Sequence, residues 1–192
     1  MRDLGIPFSV VHSDAQEASG GRAKALAEAN ALAKVEAARI PAEAQPGAFV
    51  LGTDTVVSLG RHIMGKPESA AEAARMLTAL AGRTHRVVSG VALARLGAGC
   101  TVLGEALVSS ACTRVSFARL DETQIDGYVR SGEWKGKAGG YAVQGIAALF
   151  VVGLRGEYSN VVGLPLQLLY RLFRESGFDL LRREWTAEAR GT

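Results

Sequence analysis

The stretch VLGTDTVVSLGRHIMGKP, residues 50 to 67, sets a carboxylate, Asp54, inside an apolar strand pattern and an amine, Lys66, twelve positions further on beside Pro67. On one straight strand the two would lie roughly 40 Å apart at about 3.3 Å per residue and could not act together. A turn centred on Leu59 to Arg61 folds the segment into a hairpin and brings carboxylate and amine to face each other within about 5 Å of backbone. One ribbon then supplies a general base or metal ligand together with a cation able to reach phosphate. Taken alone, the same two residues are also what an Asx turn and a solvated lysine beside a proline turn leave behind.

A second constellation lies in GEWKGKAGGYAVQGIAALFVVGLRGEYSNVVGLP, residues 132 to 165. Gly136, Gly139, Gly140 and Gly145 crowd around Lys137, and backbone N–H groups there can approach an anion with no Cβ in the way. Tyr141 and Gln144 share the loop, and the glutamine amide both donates and accepts, which suits a nucleobase edge or a phosphate oxygen. It is not a Walker A loop: Ser131 stands where the first glycine belongs and Ala138 where Ser or Thr is required, and no GxGxxG occurs. The plainer alternative is a glycine-rich connection between a helix and a strand. His85 reads as a histidine satisfying a helix end or loop, with contact to a site as the alternative. Trp134 and Tyr141 read as packing residues before base-stacking ones, and Ser159 and Asn160 as a cleft rim or the lead into a helix.

The elements that must position these residues alternate between helical and strand periods, with no repeat, low-complexity tract or clear linker. Residues 22 to 39 are alanine-rich, with Leu26, Ala29, Ala33 and Ala37 on one stripe, and predict a helix ended by Pro41 and Pro46. In SAAEAARMLTALAGR, Ser69 and Glu72 have capping-box spacing, Ala73, Met76, Leu77 and Leu80 form one face, and Gly82 suits a left-handed end. THRVVSGVALARL and TVLGEALVSSACTRVSFARL predict a hairpin of long strands across Gly97 to Gly99. Asp121 and Gln124 cap a short helix near 122 to 130, residues 147 to 154 predict a buried strand, and a last helix opens at Pro165 and closes at Gly177. This order favours an α/β or α+β architecture.

Composition narrows the classes further. The chain has 192 residues and 48% hydrophobic content, enough for one core and one unit, with a polar tail at 183 to 192 expected to fray. Charged residues are 21% with a net charge of +3, so attraction to polyanions is local, and the pI of 9.1 does not by itself argue for nucleic acid. No basic stripe interleaved with aromatics points to a nucleic-acid partner. Cys100 and Cys112 have no metal-type spacing with each other or with His12, His62 and His85, and read as reduced, buried or incidental thiols. No run reaches the roughly eighteen apolar residues of a membrane span, and MRDLGIPFSV lacks a signal-peptide core, so a soluble cytoplasmic protein without a membrane partner is expected.

GTDTVV, GKP, ARMLTALAGRTHRVVSGVAL, SGEWKGKAGGYAVQG and GEYSNVVGLP, in this order and at this spacing, resemble the Maf family of nucleoside triphosphate pyrophosphatases, from about Leu4 to Gly177. The resemblance implies one domain over residues 1–192 with the ITPase-like α/β fold, an elongated mixed sheet flanked by helices, with two lobes around a cleft. It implies hydrolysis of a nucleoside triphosphate between the α and β phosphates, with Asp54 as the catalytic aspartate and Lys66 and Gln144 as substrate-binding residues. Through the looser matches SDAQEAS and ALAKVEA it adds Glu17 as an acidic metal-site residue and Lys34 as a substrate-binding lysine. KAGGY and Gln144 are similar to the branch acting on dTTP and UTP, and a homodimer is implied at the level of the family.

The chemistry suits those residue types. A triphosphate brings about four negative charges, which Lys34, Lys66 and Lys137 would neutralise. The cofactor expected is a divalent cation, Mg²⁺ or Mn²⁺, held by Glu17 and Asp54 beside substrate oxygens, with Asp54 also orienting or deprotonating the attacking water. Family members carry a first strand and a Ser-x-Ser-Pro-Arg-Arg loop ahead of the segment matching DLGIPF, and here Met1 and Arg2 alone precede it. The expectation is therefore that this strand and the arginine pair are missing, through a misassigned start or a genuine loss. A catalytically impaired, nucleotide-binding regulatory protein is the alternative function.

Overall fold

A computed structural model of the chain describes Met1 and residues 4–186. Arg2, Asp3 and residues 187–192, the last being most of the tail expected to fray, lie outside the described residues. Its frame is a five-stranded sheet of β1 (Phe49–Leu59), β2 (His62–Met64), β3 (Thr84–Leu96), β4 (Val102–Phe117) and β5 (Val151–Arg155), in the order β2-β1-β3-β4-β5. Where the resemblance implies a mixed sheet, every pairing among the described residues is antiparallel. Helices α1 (Ala23–Glu36), α2 (Ala70–Leu80), α3 (Glu122–Ser131), α4 (Tyr158–Val162) and α5 (Leu166–Glu175) cover it, and β6 (Phe178–Asp179) pairs with β7 (Glu184–Trp185) in a separate ribbon.

The central strand β3 is buried along nearly its whole length because both faces are covered. Strand alternation sends Val88, Gly90, Ala92 and Ala94 to α1, and Val91 and Leu93 to Leu168, Leu169, Leu172 and Phe173 of α5. At one end of the sheet Val57, Val87 and Val115 meet Leu77 and Leu80 of α2, Ile125 and Tyr128 of α3, and Phe117 and Phe150.

The helix over residues 23 to 36 forms as expected, but its buried stripe differs. Leu26, Ala27, Asn30, Ala31 and Val35 are buried, whereas Ala29 is exposed and Ala33 and Ala37 are half-buried. The cause is the sheet beneath: a Cβ on Gly90 would lie 2.1 Å from the Ala27 carbonyl oxygen, and one on Gly52 would lie 2.3 Å from that of Ala31. These glycines let the helix backbone rest on the strands.

Side-chain caps start α2 and α3. Ser69 Oγ accepts from the Glu72 N–H at 3.2 Å, while the Glu72 carboxylate turns back to the Glu68 N–H at 2.8 Å, one residue ahead of the capping-box partner. Gly82 is left-handed at φ +68°. Asp121 and Gln124 form a full capping box.

The buried strand expected over 147 to 154 is not found. Ile146–Phe150 is a 3₁₀ turn, and only Val151–Arg155 is extended. The Glu133 carboxylate accepts the Ile146 and Ala147 N–H groups at 2.7 and 3.2 Å and starts the turn, which buries Ala147 and Phe150. Among the described residues β5 pairs only with the end of β4, and Val152 on this edge strand is 68% exposed.

Candidate active site

The hairpin predicted around Asp54 forms through a tight turn at Gly60 and Arg61, with Leu59 opposite His62. Pairing stops at Val57 opposite Met64, so Asp54 and Lys66 are not a cross-strand pair as expected. The short β2 instead leaves the edge of β1 without a partner strand from Thr53 to Val56 among the described residues. Against this edge lies a cavity of about 270 Å³, and Asp54 and Lys66 both line it, with Lys34, Thr53, Thr55 and Lys137.

Asp54 is 7% exposed, and each carboxylate oxygen has a donor. Lys34 Nζ donates to Oδ1 at 2.7 Å and Asn30 Nδ2 to Oδ2 at 3.1 Å. The Asn30 amide also accepts the Ala18 N–H at 2.8 Å and donates to the Ala18 carbonyl at 3.3 Å. The segment is pinned at its other end by the Ser13–Ala38 bridge and by Ser13 Oγ donating to the Lys34 carbonyl at 3.1 Å. Glu17 lies between these pins, 2.9 Å from Lys34 Nζ, and reaches the site through that lysine without lining the cavity itself.

Charge follows this geometry. The hydrogen bond from Lys34 lowers the Glu17 carboxyl below its ordinary value against the opposing effect of burial, with the charges of Lys34 and Lys66 adding to the shift. Burial pulls Lys34 down, but the bonds to Asp54 and Glu17 and their charges outweigh it and raise the ammonium above its ordinary range.

The glycine loop forms the opposite wall. Gly136, Lys137, Ala138 and Tyr141 line the cavity, and the Gly139 N–H bonds the Gly65 carbonyl at 2.9 Å, tying the loop to the segment that carries Lys66. Gly139 is left-handed at φ +69°, and a Cβ there would lie 3.0 Å from the Val57 side chain. The Tyr141 hydroxyl lies 2.7 Å from Nε2 of buried His85, so that histidine touches the wall from inside the core and does not satisfy a helix end. Burial lowers His85 to about 4 and raises the Tyr141 phenol above its ordinary range.

Asn160 secures the third wall. Its Nδ2 donates to the Val87 carbonyl and to Thr113 Oγ1, each at 3.0 Å, so α4 is fixed on the sheet. Val161, Val162 and Gly163 then face the cavity, and Thr53 Oγ1 donates to the Gly163 carbonyl at 2.7 Å.

Asp54, Lys34, Lys66 and Lys137 are thus brought together, with Glu17 attached through Lys34. Gln144 is not brought to the cavity wall: it is exposed, immediately before the turn that Glu133 holds. Trp134 packs in the core and donates Nε1–H to the Val129 carbonyl at 3.0 Å. Sequence reasoning missed Asn30, Thr53, Thr55 and Gly163. A polar residue inside the alanine-rich stripe was the available signal for Asn30.

The donor set fits a hard divalent cation. Glu17 and Asp54 already converge on one cation, the Lys34 ammonium, and both offer oxygen. Among the described residues no group of three or more His, Cys, Asp or Glu gathers, so these two carboxylates would need substrate oxygens and water to complete a coordination sphere.

An acid ringed by lysines at the open edge of an α/β sheet defines a protein built to take an oligoanion into a cleft. More closely, the chain belongs to the Maf family: the family model described as Maf-like protein matches residues 1–176. A Nitrobacter hamburgensis protein named dTTP/UTP pyrophosphatase is 47% identical over 163 residues, which are 85% of this chain and 75% of that protein. A Thermococcus gammatolerans protein of the same name is 41% identical over 179 residues, 92% of this chain and 89% of its own length. A third, from Caulobacter vibrioides, is 47% identical over 145 residues, 75% of this chain and 72% of that protein.

Proposed function

We propose that this chain is a nucleoside triphosphate pyrophosphatase acting on dTTP and UTP, which cleaves between the α and β phosphates and releases a nucleoside monophosphate and pyrophosphate. The observation that carries the reading is one cavity holding a buried aspartate beside Lys66 and Lys137, on a chain whose relatives are named for this activity. Lys66 and Lys137 bind phosphate oxygens, and the walls formed by Tyr141 and Val162 exclude bulk water from the chain of phosphates. Asp54 orients the attacking water and takes its proton as the oxygen–phosphorus bond forms and the bridging oxygen leaves with pyrophosphate. Glu17 and Asp54 would hold a divalent cation, Mg²⁺ or Mn²⁺, which when bound would neutralise charge on the phosphate oxygens. Gln144, on the exposed turn beyond Tyr141, is assigned to the nucleobase end of the substrate. A nucleotide substrate agrees with a cytoplasmic setting, and among the described residues no helix is long and apolar enough to cross a membrane.

Hydrolysis of dTTP, UTP and other triphosphates in ¹⁸O-labelled water with Mg²⁺ or Mn²⁺ tests this. Pyrophosphate release with the label in the monophosphate is expected. Label in the pyrophosphate, or release of orthophosphate alone, contradicts the reading.

A further inference from the structure

Lys34 is the most heavily committed side chain at the cavity. A lysine ammonium has three N–H donors, and Nζ meets three acceptors: Asp54 Oδ1 at 2.7 Å, Glu17 Oε1 at 2.9 Å and the Thr53 carbonyl at 3.1 Å. Its donors are spent inside the protein. The side chains of Lys66 and Lys137 make no hydrogen bond or ion pair among the described residues, and both residues line the cavity. The two kinds of lysine are therefore not equivalent toward an incoming anion.

We propose that Lys34 is an internal cation that holds the metal position shut until a triphosphate arrives. The inference rests on the reading of Glu17 and Asp54 as metal ligands. Without nucleotide, the ammonium stands between their carboxylates and leaves one net negative charge where there would otherwise be two. A bare divalent ion must then displace Nζ from both carboxylates and remain beside its charge, because the Thr53 carbonyl and the half-buried stem on α1 keep the lysine close. A triphosphate removes that obstacle, since its oxygens accept the donors that Lys34 gives up. Divalent ion and nucleotide consequently load together. Lys34 acts here as a positioning residue for the carboxylates as well as a phosphate contact.

The test is titration of Mn²⁺ alone, without nucleotide, into wild type and Lys34→Met, read by calorimetry and by loss of the free-ion electron paramagnetic resonance signal. Lys34→Met is expected to bind one Mn²⁺ at least about ten-fold more tightly than wild type, because a neighbouring positive charge has gone. Lys34→Arg keeps the weak affinity, and Asp54→Asn added to Lys34→Met abolishes the gain. A non-hydrolysable dTTP analogue raises Mn²⁺ affinity more in wild type than in Lys34→Met. Equal Mn²⁺ affinities in wild type and Lys34→Met, or no binding by either, overturn the proposal. Lys34→Gln, checked by circular dichroism, serves where the methionine variant does not fold. Pyrophosphate release by wild type, measured alongside, reports on the catalytic reading separately.

Discussion

Asn30 is 4% exposed, and its side chain makes three hydrogen bonds, two to the Ala18 backbone and one to Asp54, so a single amide orients the acid and anchors the segment carrying Glu17. Lys66 has the opposite character: it is exposed, lines the cavity, and its side chain makes no hydrogen bond or ion pair among the described residues. Folding asks little of it, and its charge is available to a ligand. Lys66→Ala is therefore expected to leave stability within about 0.5 kcal/mol. The same variant weakens triphosphate binding by about ten-fold or more, the worth of one charge-assisted bond. Denaturant unfolding and nucleotide titration measure the two effects, and a large loss of stability would count against the assignment.

The elements bring these residues together through close backbone approach. Gly90 and Gly52 sit under α1 with no space for a methyl group, so the helix that carries Asn30 and Lys34 lies low enough to reach Asp54. Gly90→Ala must lift the helix, because the obstructing atoms are backbone; a cost of about 3 kcal/mol or more in thermal or denaturant unfolding is expected, at the upper end of overpacking. Much of the framework could be read directly from sequence because its signals are local. Ser69 and Asp121 start their helices through neighbouring N–H groups, and the β-rich runs of β3 and β4, parted by Gly97 to Gly99, mark a hairpin. What was not legible depends on contacts far along the chain. The buried face of α1 is chosen by Gly52 and Gly90, and the turn at 146 to 150 is started by Glu133. Asp54 and Lys66 stand out by residue type and by the turn between them, and Lys34 through resemblance; that Asp54 and Lys66 meet across a cavity and not as a cross-strand pair follows from the early end of β2, which no local pattern announces.

Across the whole molecule, the cavity is bounded by packing that comes from different parts of the core. The His85 ring packs edge-on against Phe117 and Tyr141 of the cluster joining α2, α3 and one end of the sheet, and it meets the Tyr141 hydroxyl on the cavity wall. Its Nδ1 has no hydrogen-bond partner among the described residues, and burial favours the neutral ring. Burial lowers it from 6.5 to about 4, so the unfolded chain binds the proton first as pH falls. Stability is full above about pH 6.5 and declines toward pH 4, with a loss of about 2 kcal/mol by pH 5 from this residue. Denaturant midpoints between pH 7 and 5 should show this slope in wild type and lose most of it in His85→Gln. The same variant should also disturb the Tyr141 wall, which links acid sensitivity of the core to the site.

The central claim is that a buried aspartate works on a phosphate chain held by separate lysines. Comparison of Asp54→Asn with wild type tests it most directly, with pyrophosphate release from dTTP and nucleotide affinity measured on the same samples. A fall in kcat of about 10²- to 10⁴-fold, with affinity changed only a few-fold, is the expected result. Unaltered kcat in the folded variant would contradict the account.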